Sequence, residues 1–161
     1  MTAHWYLDDA SCTERVGAAL ARALGGGMVI TLEGDLGVGK TTLVRGVLRA
    51  CGWTGGVKSP TYSLVEYYPF SSLYLYHFDF YRFADPSEWE TAGLSDYFRS
   101  DSACLVEWPE RVAGLLPTPD VRLVLAHLPQ AAGRSLAVLS GSAEGDRCAA
   151  QIATLGLPAV R

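Results

Sequence analysis

Apolar residues recur along this chain with two different periods, and the changes between them mark its elements. From residue 8 to 24, Val16, Leu20 and Leu24, with Ala19 and Ala23 beside them, form one stripe at helical spacing. Asp9 or Ser11 stands where that helix would be capped. Gly25-Gly26-Gly27 ends it. Met28-Val29-Ile30-Thr31-Leu32 is short, apolar and β-branched, the pattern of a buried strand. Over residues 40 to 50 the period turns helical again, with Leu43, Val44, Val47 and Leu48 on one face and Arg45 and Arg49 on another.

A glycine-rich break at 52 to 56 follows. Past Pro60 the Tyr-, Thr- and Val-rich stretch to Tyr68 alternates and predicts a strand. Residues 69 to 72 make a turn, and Leu73 to Tyr81 predict a second aromatic strand, so the two read as a β-hairpin. That hairpin breaks a strict strand–helix–strand alternation and predicts a mixed sheet. Residues 86 to 99 carry a helical pattern with Pro86 at an allowed first-turn position. Ala103 to Val106 form a short buried strand before Glu107-Trp108-Pro109-Glu110, and 121 to 128 and 135 to 140 read as two further strands. From Gly141 onward the chain is Gly- and Ala-rich, with a weak helical pattern at 148 to 155 and no chemical signal. Neither a repeat nor a linker divides the sequence. The expectation is one domain over 1–161, with 141–161 a variable C-terminal tail.

Between the first buried strand and the helix that follows it lies Gly34-Asp35-Leu36-Gly37-Val38-Gly39-Lys40-Thr41, a match to G-x-x-x-x-G-K-[ST] at every fixed position. A chance match in a chain of this length is on the order of one per cent. Glycines without a Cβ let the loop bend tightly and aim its N–H groups at one anionic centre. The following helix adds its unpaired N–H groups and the positive end of its dipole. Lys40 supplies a charge for the β- and γ-phosphates, Thr41 a hydroxyl for Mg²⁺, and Thr42 a further donor. The predicted fold is therefore α/β: a P-loop nucleotide-binding fold of three layers around a central mixed, partly antiparallel sheet. The ligands expected are a nucleotide and Mg²⁺.

Bulk properties narrow the picture. The 161 residues are 49% hydrophobic and 19% charged, which excludes a disordered chain. A net charge of −4 argues against a protein whose main work is gripping nucleic-acid phosphates. Cys12, Cys51, Cys104 and Cys148 are far apart and no histidines stand at ligand spacing, so neither zinc nor a disulfide framework is expected. Four unpaired thiols, no visible signal peptide and no long apolar run predict a cytoplasmic protein without a membrane segment.

A phosphate loop needs an acid near its metal and a group that orients water. Glu107 and Asp79 stand where sheet strands should end, the edge at which open α/β sheets bind ligands. We assign Glu107 to Mg²⁺, directly or through water, and Asp79 to the attacking water or the γ-phosphate; at this level the roles are interchangeable. A surface salt bridge is the ordinary alternative for either acid alone. Thr61, after Ser59-Pro60, is a candidate switch toward the metal or γ-phosphate, or else a structural strand-start residue. Thr13 stands where a hydroxyl could approach a bound base, but helix capping or a solvated position is the simpler reading of it from the sequence alone. Trp108 packs on the nucleotide or a partner, or in the core. His77 reads as a satisfied strand histidine, and Arg82 as a phosphate contact or a strand-end ion pair. The many tyrosines of 62 to 81 suit cross-strand packing better than base stacking in so acidic a chain.

Taken in order, Gly34 to Thr42, Ser59-Pro60-Thr61-Tyr62, Tyr76-His77-Phe78-Asp79-Phe80-Tyr81-Arg82 and Glu107-Trp108-Pro109-Glu110 resemble the TsaE (YjeE) family, small bacterial ATPases of tRNA threonylcarbamoyladenosine biosynthesis. The resemblance covers roughly residues 5 to 140. Val38 replaces the family's usual alanine, and Phe80 a common leucine. It implies an ATPase, weak alone and dependent on partners, that supports TsaD- and TsaB-like subunits without itself transferring the threonylcarbamoyl group. The tRNA would then be held only indirectly, through the complex. By position, Lys40 and Thr41 match the family's phosphate and metal residues, Asp79 and Glu107 its functional carboxylates, and Trp108 its Glu-Trp motif. Adenine rather than guanine also rests on the resemblance, since no guanine-reading N-K-x-D run is present. Two other functions fit a phosphate loop. A small P-loop nucleoside or metabolite kinase would want an Arg-bearing lid, and no short Arg-rich insertion is evident. A non-catalytic module would use the nucleotide only to order 58–68 for docking.

Overall fold

The computed structural model describes residues 2–60 and 62–160. Among these, seven strands form one sheet: β1 (Thr2–Leu7), β2 (Val29–Glu33), β3 (Val65–Pro69), β4 (Tyr74–Asp79), β5 (Ser102–Glu107), β6 (Val121–His127) and β7 (Arg134–Ser140). Their order is β1-β7-β6-β2-β5-β4-β3. β2 runs parallel to both β5 and β6, and β4 runs parallel to β5. The remaining pairs, β3 with β4, β6 with β7 and β1 with β7, are antiparallel. The sheet is thus mixed, as the hairpin in the sequence predicts. Its parallel centre brings the carboxyl ends of β2, β4 and β5 to one edge, where the glycine loop, Asp79 and Glu107 all emerge.

Among the described residues four α-helices accompany the sheet: α1 (Ala10–Ala21), α2 (Lys40–Ala50), α3 (Glu88–Thr91) and α4 (Ala143–Ala153). Alternation along the strands sends Leu32, Leu75, Leu105, Leu123 and Leu136 to one face, where they meet Val16 and Leu20 of α1, Leu43 and Val47 of α2 and Ile152 of α4. On the opposite face Phe78 and Val106 pack against Trp89 of α3, Leu94 and Val112. The result is three layers, the second outer one thin.

α1 and α2 cross in close contact because each carries a glycine there. A Cβ on Gly17 would lie 2.2 Å from the Leu43 carbonyl oxygen, and one on Gly46 2.2 Å from that of Glu14. Asp9 caps α1, its Oδ1 accepting from the Cys12 N–H at 2.8 Å. Cap and crossing together hold the first turn of α1 beside the glycine loop.

The structure departs from the sequence pattern in four places. Edge strand β1 is not foreshadowed, since it is held by its ladder with β7 and an isolated bridge from Trp5 to Ala159, both distant in sequence, and alternates weakly between exposed and half-buried positions. The first hairpin strand starts at Val65 rather than just past Pro60, because Leu64 adopts a left-handed conformation (φ 66°). The helix expected over 86–99 is instead α3 followed by a 3-10 turn at Leu94–Tyr97, broken by Gly93 at φ 63°. Lastly, the weak helical pattern after 148 belongs to a longer helix, α4. Ser142 caps it by accepting from the Gly145 N–H and donates to Asp120, whose other oxygen accepts the Val29 N–H at the start of β2.

Candidate functional site

The loop between β2 and α2 turns through three glycines in conformations that side-chain-bearing residues avoid: Gly34 (φ 143°), Gly37 (77°) and Gly39 (117°). Gly34 is also pressed onto β6, where a Cβ would lie 2.4 Å from the Leu125 carbonyl oxygen. Gly39 stands at the N-cap of α2 and no side chain caps that helix, so its first-turn N–H groups are left for a ligand. Lys40, only 5% exposed, curls back over the loop. Its Nζ donates to the Gly34 carbonyl oxygen and sits 3.8 Å above the centre of the Trp108 ring. Burial holds the Lys40 ammonium below the ordinary lysine pKa, against the opposing pull of Glu107, Glu110, Asp79 and Asp35. Trp108 reaches this place from a left-handed backbone (φ 56°) as the chain reverses after β5, a strained conformation for a bulky residue.

In front of the loop lies a cavity of about 340 Å³ whose wall includes Lys40, Thr41, Asp79, Arg82, Glu107 and Trp108. The parallel register sets Asp79 directly beside Glu107 and Glu107 beside Leu32, so both acids stand level with the end of β2. Both are almost fully buried. Asp79 is held at each oxygen: Oδ1 accepts the Tyr81 N–H and Oδ2 the Ser59 hydroxyl, both at 2.9 Å. Its own backbone N–H donates to the carbonyl of left-handed Leu64 at 3.0 Å. The Thr41 hydroxyl lies 3.2 Å from Oε2 of Glu107 and 3.5 Å from Oε1. Oε2 also lies 2.6 Å from Nε2 of His77, which is wholly buried.

Among the described residues no group of three or more His, Cys, Asp and Glu surrounds a metal position. Magnesium rarely needs one, since it is commonly held by one or two protein oxygens plus water and phosphate. Thr41 and Glu107 provide such a pair. With the uncapped helix and buried ammonium beside them, their chemistry fits a magnesium-bound phosphate chain.

Behind the loop is a second cavity of about 260 Å³, lined by Asp8, Asp9, Thr13 and Arg134 together with the loop backbone. Thr13 is buried, and its hydroxyl donates to the Asp9 carbonyl oxygen at 3.3 Å, so it belongs to the helix cap while also forming the cavity wall. Arg134, at the start of β7, braces the loop by donating from Nε to the Val38 carbonyl oxygen at 3.1 Å.

The family model for "Threonylcarbamoyl adenosine biosynthesis protein TsaE" matches residues 7–136. The chain belongs to the TsaE family. A relative from Haemophilus influenzae, named tRNA threonylcarbamoyladenosine biosynthesis protein TsaE, is 54% identical over 94 residues, 58% of this chain and 60% of its own length. Proteins of the same name from Bacillus subtilis and Synechocystis are 43% and 40% identical, over 62% and 69% of this chain and 61% and 73% of theirs. The matched region thus spans about three fifths of the Haemophilus and Bacillus relatives. The crystal structure of Bacillus subtilis YdiB superposes with a TM-score of 0.81 at 26% identity, covering 97% of both chains.

Of the residues singled out in the sequence, this TsaE-family fold gathers Lys40, Thr41, Thr42, Asp79, Glu107 and Trp108 around one cavity, with Gly37 and Gly39 in its wall. Asp35 and Val38 shape the loop, the Val38 N–H donating to the Asp35 carbonyl at 3.1 Å, while Leu36 projects at its tip, 68% exposed. Thr13 faces the second cavity. Thr61, the candidate switch, lies outside the described residues. Two residues of weight were not assigned to the site. His77, which the sequence reads as a satisfied strand histidine, reaches Glu107 through Nε2 but among the described residues has no hydrogen-bond partner at Nδ1. Arg134 is distant in sequence, and no local signal ties it to the loop.

Proposed function

We propose that the chain binds and hydrolyses Mg·ATP in the cytoplasm, as a subunit required for threonylcarbamoyladenosine modification of tRNA. TsaD- and TsaB-like subunits would carry out the transfer and hold the tRNA. The observation that carries this reading is the convergence of Lys40, Thr41, Glu107 and Asp79 at the uncapped start of α2. Family membership supports the pathway, because the relatives carry it in their names.

Each residue's part follows from its surroundings. Lys40 would exchange the Gly34 carbonyl for phosphate oxygens, a stronger acceptor for an ammonium kept from water. Thr41 and Glu107 would hold Mg²⁺, since the Thr41 hydroxyl touches Glu107. The bound ion would supply charge neutralisation on the phosphate chain. Asp79 is aligned at both oxygens, as a group that orients water must be. The cavity beside Thr13 and Arg134 would take the nucleoside end, and Trp108, freed from Lys40, would close over the phosphates or meet a partner.

The test is a reconstituted modification assay with TsaD- and TsaB-like subunits, with and without this chain, using ATP or a non-hydrolysable analogue. The expected outcome is multiple turnover only with this chain and hydrolysable ATP. Asp79→Ala should abolish both hydrolysis and sustained modification. Continued turnover by Asp79→Ala without hydrolysis would reduce the chain to a nucleotide-dependent docking module. Transfer of γ-phosphate to a nucleoside or metabolite would make it a kinase.

A further inference from the structure

We propose that His77 is a positioning residue for the magnesium site: from within the sheet it grips Oε2 of Glu107 and thereby fixes which oxygen faces the cation. This rests on the reading that the cavity takes a magnesium nucleotide.

Three observations carry it. His77 is wholly buried on the middle of β4, two residues before Asp79 and on the same face, and the parallel register with β5 brings Glu107 within its reach. The contact is short, 2.6 Å from Nε2 to Oε2, and both side chains are shielded from solvent. Nδ1 has no partner. A wholly buried polar ring with one nitrogen unsatisfied is a poor packing element, because folding takes that nitrogen out of water without replacing its hydrogen bond. An apolar residue of similar volume would serve the core better. What the ring provides is its other nitrogen.

On this proposal the direction of that contact is set: a Glu107 carboxylate serving magnesium only accepts hydrogen bonds, so Nε2 would be the donor. The Thr41 hydroxyl reaches Oε2 as well, at 3.2 Å. Oε2 is therefore committed to the protein, whereas among the described residues Oε1 has only the longer 3.5 Å approach of Thr41. The Glu107 carboxylate is locked in rotation with Oε1 left for the ion or its water. Partners of this kind behind a ligand typically change metal affinity by about 10–100-fold when removed.

The experiment is calorimetric titration of ADP into wild-type protein, His77→Leu and His77→Gln over a series of free Mg²⁺ concentrations, with thermal melting to establish that each variant is folded. The Gln side-chain nitrogen lies at nearly the reach of Nε2 and can donate; Leu fills the space without donating. Expected are unchanged ADP affinity in EDTA, an increase of tenfold or more in the Mg²⁺ needed for half-maximal tightening by His77→Leu, and recovery of most of that loss by His77→Gln. If either variant fails to fold, ¹⁵N spectra of wild-type histidines decide. His77 should be found as the Nε2–H tautomer, with its Nε2 resonance moving when Mg²⁺ is added to the ADP-bound protein and not when it is added alone. Unaltered Mg²⁺ dependence in His77→Leu, equal loss in Gln and Leu, or an insensitive Nε2 resonance would overturn the positioning role while the nucleotide reading stood. Failure of the wild type itself to bind ADP would remove that reading, and this proposal with it.

Discussion

Lys40 is held in a place unfavourable to an ammonium, and the balance of forces on it is testable. Burial is the largest influence and lowers its pKa below the ordinary 10.5, despite four carboxylates acting the other way. Below the lowered value the group is charged in both folded and unfolded chains, and the folded state bears the full penalty. Between that value and 10.5 the unfolded chain binds more protons, so stability rises with pH across this window. Lys40→Met removes the titration. Urea denaturation from pH 7 to 10.5 should show the Met variant's advantage shrinking as pH rises, while its nucleotide binding is lost throughout. A gap that widens with pH would mean that Gly34 and Trp108 more than satisfy the ammonium. At this scale the glycine loop, Lys40 and Thr41 were legible because their spacing is local. His77 was not, because its partner is a strand away and only the register of β4 on β5 brings them together.

Among elements, the α1–α2 crossing sets the back wall of the site. Gly46→Ala would drive a Cβ to within 2.2 Å of the Glu14 carbonyl oxygen, and backbone cannot yield as a flexible side chain can. We expect a loss of about 2 kcal/mol or more in denaturant unfolding. Nucleotide binding should also weaken, because α1 carries Thr13 and the Asp9 cap away from the loop as it retreats. Unchanged stability would show that the helices separate without penalty. Strand ends were legible where apolar runs stop at an acid, as at Val106-Glu107. The helix expected over 86–99 was not, because its apolar spacing comes from two short turns around Gly93 whose residues Trp89 and Leu94 cover the far face of the sheet.

For the whole molecule, the four cysteines report on which parts open. Burial pushes the Cys104 thiol up to about 12 and the Cys148 thiol up to about 11, one beneath each face of the sheet. Cys12 and Cys51 are half-buried. A thiol-disulfide reagent at pH 8 should modify Cys12 first and Cys51 more slowly, with Cys104 and Cys148 reacting only at the rate of global unfolding. Early reaction of Cys148 would show that α4 detaches as a separate unit. The contribution of that helix was hard to read in advance. Its anchor is Asp120, which joins the Ser142 cap to the first residue of β2 across a long stretch of sequence.

On the proposed function, the glycine loop and Lys40 grip a magnesium-bound polyphosphate, and titration calorimetry of Mg·ATP and Mg·ADP into the folded wild type and Lys40→Ala decides whether they do. Saturable uptake of about one nucleotide per chain is expected of the wild type, with a loss of at least tenfold in affinity for the variant, the consequence of removing a charge-assisted contact. No heat of binding from either nucleotide with the wild type, or equal affinity in Lys40→Ala, would overturn it.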